Sequence, residues 1–198
     1  MTTFLRFTAL ALLLTAPALA QVPAYKNSIR LGVNYTSLDG PDATGPQYVG
    51  RLARHIARDR VVVAAEAGYL YISRPNEPFN GFVPAESRRE RFTADLTVLY
   101  NLLRNPTHAL RLGAGGSAWY RRDDTFSGAT LLSRTAEGTG AVAFDRLQRH
   151  GLLTGLHGTA EYAYRFTPRW SADARVRVVD LRNAGVQAMV GVGLNVHF

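Results

Sequence analysis

VGVGLNVHF, residues Val190–Phe198, closes the chain on an alternation that decides the fold. Extended back to Val186, the apolar side chains are Val186, Ala188, Val190, Val192, Leu194, Val196 and Phe198. Gln187, Met189, Gly191, Gly193, Asn195 and His197 stand between them. A strand sends alternate side chains to opposite faces, so this period of two makes one oily face and one small or polar face. Wound as a helix, the same apolar set would scatter, and each interior glycine would cost roughly 1 kcal/mol relative to alanine.

The same alternation recurs upstream. Eight strands are predicted, over Ser28–Ser37, Gln47–Ala57, Val61–Ile72, Arg91–Leu103, Ala109–Arg121, Leu152–Phe166, Trp170–Val179 and Val186–Phe198. The fourth is the clearest: Phe92, Ala94, Leu96, Val98, Tyr100 and Leu102 share one face, and Arg91, Thr93, Asp95, Thr97 and Asn101 the other. The second is the weakest, because Arg54 interrupts one apolar set and Arg51 the other.

Every strand but the second thus has one continuous apolar face, while the opposite faces collect full charges. Period alone is compatible with a soluble exported barrel holding an apolar ligand, oily face inward, and with a membrane barrel, oily face outward. Three features favour the membrane. Long connections (Leu38–Pro46, Ser73–Glu90, Arg122–Gly151, and a moderate Asp180–Gly185) alternate with short ones (Arg58–Arg60, Arg104–His108, Thr167–Arg169), which puts long loops at one end and tight turns at the other. Tyr69, Tyr71, Tyr100, Tyr120, Tyr162, Tyr164, Phe166 and Trp170 sit near strand ends, where interfacial girdles belong. Finally, an eight-stranded barrel is only wide enough to be filled by side chains. Glu66, Asp95, Arg111, Glu161, Asp173, Arg175 and Arg177 are the expected lumen charge network, and enclosed there they need partners. The sequence leaves open whether segment 122–151 contains further strands.

At the other end, MTTFLRFTALALLLTAPALAQ has a basic start at Arg6, an apolar run from Phe7 to Ala18, and small residues at Ala18 and Ala20. That pattern predicts a secretory signal peptide over 1–20, cleaved before Gln21, with residues 21–198 as a single domain. Without cysteine, an exported chain has no disulfide framework to hold it. Losing Arg6 takes the formal net charge from +8 to +7. Nearly all of the positive charge is arginine scattered among apolar stretches, without a lysine-rich run, so nucleic acid is not an expected partner. No stretch of 21–198 approaches the ~20 apolar residues of a spanning helix, so a membrane location requires a closed barrel.

The terminal alternation, ending on Phe198, resembles the last strand of bacterial outer-membrane β-barrel proteins. The whole of 21–198 is similar to the small eight-stranded barrels of the OmpA transmembrane-domain, OmpX and OmpW kind, often grouped as porin-like surface proteins. The resemblance implies an all-β, antiparallel up-and-down transmembrane barrel in the cell outer membrane. It also implies that Val192, Leu194, Val196 and Phe198 form the signal read by the barrel-assembly machinery.

Chemistry is sparse. His157, Thr159 and Glu161 share a face of the sixth strand, but a lumen packed with side chains offers no substrate access, so a hydrogen-bond network is favoured over catalysis. The remaining histidines are far apart and match no metal spacing, and Asp123, Asp124, Glu137 and Asp145 match no calcium loop. No cofactor and no enzymatic activity are expected. At the loop rim, Arg88, Arg89, Arg121 and Arg122 are candidate contacts for lipopolysaccharide phosphates, which guanidinium groups engage bidentately. The competing reading pairs them with Glu77, Glu86, Glu90, Asp123 and Asp124. The expected role is structural or surface recognition, with loops two and three presenting a basic surface outside to an unspecified extracellular ligand. A narrow pore or carrier for small molecules is the alternative within the membrane.

Overall fold

The computed structural model describes residues 25–38, 44–76, 86–103, 105–134 and 140–198; the expected signal peptide and Glu77 and Glu137 lie outside them. Eight antiparallel strands run β1 (Asn27–Ser37), β2 (Thr44–Ile56), β3 (Val61–Arg74), β4 (Ser87–Asn101), β5 (His108–Arg134), β6 (Gly140–Arg165), β7 (Trp170–Leu181) and β8 (Gly185–His197). Each pairs with its neighbours in sequence, and β8 pairs back onto β1, from Ser28 opposite His197 to Thr36 opposite Met189, closing the barrel. Closure leaves no sheet edge within the barrel wall, the condition for a β-structure to span lipid.

The orientation of the faces is unambiguous. Leu96, Val98, Val192 and Leu194 are 67%, 55%, 63% and 53% exposed on the outer wall, whereas Asp95, Glu161 and Arg175 are 3%, 1% and 3% exposed inside it. A soluble barrel with an apolar ligand cavity is therefore set aside, because the interior is ionic and the greasy face looks out. On that wall Tyr48, Tyr69, Phe92 and Tyr120 lie side by side across β2–β5 near the loop end, with the Tyr69 and Phe92 rings 4.9 Å apart. Tyr100, Tyr162, Phe166, Trp170 and Phe198 are exposed toward the turn end. Phe92 and Tyr100 are about 27 Å apart along β4. At a strand tilt of about 40° that gives a belt roughly 21 Å tall, close to the ~25 Å apolar band of outer-membrane barrels.

Two expectations about connections need correction. The segment 122–151 is mostly strand: β5 and β6 continue as one paired hairpin from Tyr120 and Leu152 to Arg134 and Gly140, with register shifts between Phe126 and Gly128 and between Leu131 and Ser133. The ladder continues there because the pairing has an uninterrupted partner on each strand, although the strict apolar alternation has ended. The hairpin extends about 45 Å along the strand beyond the aromatic row. The connection between β7 and β8 is a three-residue turn, Arg182–Ala184, with Asn183 at φ 67° and Gly185 at φ 69°. The asymmetry of the barrel thus comes less from loop length than from one hairpin that outgrows the wall.

Candidate functional site

The lumen is the best-defined chemical environment of the molecule, and the strand parity builds it. Inward positions of β7 place Asp173, Arg175 and Arg177 on one line, facing Glu66 on β3, Asp95 on β4 and Glu161 on β6. Arg175 Nη1 donates to Glu66 at 2.5 Å, and Arg177 Nη1 lies 3.1 Å from Glu66 and 2.8 Å from Asp95. Glu161 accepts from Arg51 and, at 2.9 Å, from Arg111. All seven expected network residues are enclosed, and they are brought together.

Sequence reasoning missed three members. Arg30 on β1 donates from Nε to both oxygens of Asp173, at 2.8 and 2.9 Å. Arg51, read as an interruption of β2, shares the inward face with Gln47, Val49 and Ala53 and is the second cation on Glu161. Asp59 reaches in from the β2–β3 turn to Arg111 at 3.1 Å and to the His55 ring. Burial by itself would raise the Asp59 carboxyl; the His55 ring and the Arg111 guanidinium outweigh it and hold the group down to about 2. The signal for Arg30 was available, since it alternates in phase with the polar face of β1; Arg51 was obscured by Val49 and Ala53 on its own face.

Neutral side chains knit the ions together. Asn195 donates to Asp173 at 2.7 Å, Arg175 to Asn34 at 3.1 Å, and Asn34 leads through Gln47 to Thr93. Every strand supplies at least one member, so the ionic lattice cross-braces the whole cylinder. His157 sits between Thr97 and Ser117, 2.8 Å from each hydroxyl, and Thr159 accepts from Arg177. The imidazole and its serine are both buried among these partners, as a structural network requires. Glycine opens the room: a Cβ on Gly193 would stand 2.4–2.6 Å from the Arg30 guanidinium, which lies across Gly193 and the Gly32 opposite it.

Toward the loop end the inward face also gathers an apolar cluster, which the sequence reading did not foresee. Trp119, fully buried, packs with Leu38, Leu70, Ile72, Leu153, Val179, Leu181, Ala184 and Met189 into a cap over the ionic lattice. Leu153 and Val179 escaped notice because each directly follows an apolar residue of the outward row, Leu152 and Val178, where the alternation breaks.

At the rim, the four candidate arginines separate by parity. Arg88 and Arg122 follow the outward row above Phe92 and Tyr120, with Arg122 3.9 Å from Glu90. Arg89 and Arg121 follow the inward row, where the Arg121 Nε lies 3.9 Å from Asp123, the carboxylate that also pairs with Arg91. Arg146 on β6 pairs with Asp124 at 2.8 Å. Val192, Leu194 and Phe198 are exposed on the outer wall and Val196 is half-buried there, while the Phe198 backbone pairs with Asn27 at 2.9 and 3.0 Å. Among the described residues, no cluster of three or more metal-ligating side chains occurs.

The family description "outer membrane protein beta-barrel domain" matches residues 7–198. No curated protein matches the sequence. Among solved structures, the chain is similar to neisserial surface protein A at 12% identity and a TM-score of 0.57, covering 87% of this chain and 97% of that one. The outer membrane protein OprG of Pseudomonas aeruginosa aligns at 12% identity and a TM-score of 0.56, covering 88% and 97%. The N-terminal β-barrel domain of OprF from the same organism aligns at 16% and 0.51, covering 86% and 98%. At these identities the likeness is one of fold.

Proposed function

Because the chain belongs to the outer membrane protein β-barrel domain family, we propose that it is a non-conducting, non-catalytic barrel of the outer membrane with a structural and surface-recognition role. The observation that carries this reading is the filled lumen: a lattice of paired ions tied to every strand, capped by the Trp119 cluster. Enclosed guanidinium–carboxylate pairs are costly to separate, so the interior favours bracing over passage. In planar bilayers the purified barrel is expected to give no discrete conductance steps. Regular single-channel steps would favour the narrow-pore reading instead.

In this reading the loop end faces outside and the turn end, with both strand termini, faces the periplasm. The β5–β6 hairpin is then the recognition surface, standing clear of the headgroups. Arg88 and Arg122, just above the aromatic row, are the two candidates best placed for lipopolysaccharide phosphates, with Arg89 and Arg121 directed toward the mouth. Substituting Arg88 and Arg122 together by alanine is expected to lower the lipopolysaccharide that copurifies with the barrel; unchanged association would remove this contact from the proposal. Val192, Leu194, Val196 and Phe198 are proposed as the strand read by the assembly machinery, which suits their position at the seam where β8 closes on β1.

A further inference from the structure

Positive charge is distributed unevenly between the two ends. At the loop end, cations are interleaved with carboxylates: Arg91 with Asp123, Arg122 with Glu90, Arg146 with Asp124. The turn end has no such balance. A cavity of about 730 Å³ opens there, and its wall includes Lys26, Arg54, Arg58, Arg60 and Arg165. Among the described residues none of these five has a carboxylate within ion-pair distance. The cavity's one acidic side chain, Asp59, is already taken by His55 and Arg111. In the sequence, no acidic residue precedes Asp39. The Phe198 backbone oxygen accepts the Asn27 N–H at the seam, and among the described residues the terminal carboxylate forms no ion pair with these cations.

We infer that this mouth is a binding site for the phosphodiester headgroup of an anionic phospholipid in the adjoining leaflet. Depth and chemistry favour a lipid. Arg54 is the charge that breaks the outward apolar row of β2, next to the exposed Ile56, and so stands on the lipid side of the wall. Arg60 donates to the Tyr100 hydroxyl at 3.3 Å, which ties a cation to the aromatic girdle. The same cavity is walled by Ile56 and Leu103, both exposed and apolar, so it offers cations beside a greasy ledge, as a headgroup joined to its acyl chains requires. The β2–β3 turn is shaped for this: Ala57, Arg58 and Asp59 all hold left-handed backbone, at φ 51°, 56° and 67°. That turn directs Asp59 inward to Arg111 and leaves Arg58 exposed at the rim. Basic residues near an anionic membrane surface act together, so several on one headgroup give a marked preference.

The site depends on the membrane placement of the barrel and not on any recognition role of the hairpin. It is tested with the full-length barrel in nanodiscs of phosphatidylcholine containing a minor fraction of phosphatidylglycerol, by measuring the lipids retained after mild detergent extraction. The unsubstituted protein is expected to retain phosphatidylglycerol enriched roughly tenfold over the disc composition. The triple variant Arg54→Gln, Arg58→Gln, Arg165→Gln is expected to retain the disc ratio, and the loop-end pair Arg88→Gln, Arg122→Gln to match the unsubstituted protein. Arg58→Gln alone, at an exposed turn position that leaves the wall intact, is expected to lose part of the enrichment. Absence of enrichment in the unsubstituted barrel, or its survival in the triple variant, overturns the proposal. So does displacement of the lipid by an equal amount of inorganic phosphate, which would mark a free-anion site, or binding of acidic peptidoglycan fragments without lipid enrichment.

Discussion

Glu161 shows how much of this molecule rests on single ionic residues. It is enclosed on β6 and accepts from Arg51 and Arg111, so its loss would leave the Arg51 guanidinium without a carboxylate and Arg111 with Asp59 alone. Removing one member of a buried pair costs about 3–5 kcal/mol, because the remaining charge is left without compensation. Glu161→Gln is therefore expected to lower the unfolding free energy of the barrel in urea titration by that order, and an unchanged midpoint would mean that the lattice re-pairs freely. Gly193 makes the complementary point about space. Its Cβ would collide with the guanidinium that Arg30 presents to Asp173, so Gly193→Ala is expected to cost about 1–3 kcal/mol. Gly116→Ala, on the outer wall with nothing within 4 Å, should be close to neutral in the same titration. Lumen residues such as Asp95 and Arg175 could be read from parity. Asp59 could not, because it lies in a turn where no period applies and only the closing of the barrel brings Arg111 to it.

Among the elements, the β5–β6 hairpin and the β2–β3 turn behave differently from the wall. The hairpin beyond Asp124 and Gln148 pairs only with itself: β4 accompanies β5 as far as Asp124, and β7 accompanies β6 only from Gly155. Replacing residues 126–146 with a short turn is thus expected to leave the barrel folded, with its heat-modifiable shift on detergent gels intact, while removing whatever surface binding the protein has. Loss of the folded band would show that the hairpin helps hold the wall. The β2–β3 turn is latched through Asp59. Its folded-state pKa, about 2, lies below the ordinary carboxylate value, so the latch contributes fully above about pH 4 and is lost as pH falls through about 2. Comparing Asp59→Asn with the parent barrel by urea unfolding should show a difference at neutral pH that shrinks toward pH 2. The number and order of these strands were legible because alternation survives along the wall. The hairpin extension was not, since beyond Arg121 the side chains no longer sort into lipid and lumen sets.

As a whole molecule, the protein combines an outer belt that needs lipid, an interior of matched ions beneath an apolar cap, and a positive excess collected at the turn end. The proposed absence of conduction rests on that filled interior. The sequence by itself determined the class, because a period of two with one greasy face and aromatic residues at strand ends leaves few architectures once lipid is the solvent. It also placed Glu66, Asp95, Glu161 and the β7 arginines on one face, since parity is a local property of the strand. Which charge meets which was decided only by the tertiary structure. Arg51 and Glu161, or Glu66 and Arg175, stand more than a hundred positions apart, and their pairing depends on the register with which eight strands close around a common axis. The Trp119 cap and the unbalanced basic mouth belong to the same level: each is assembled from several strands or turns, and a side chain's distance from the two ends of the barrel exists only after closure.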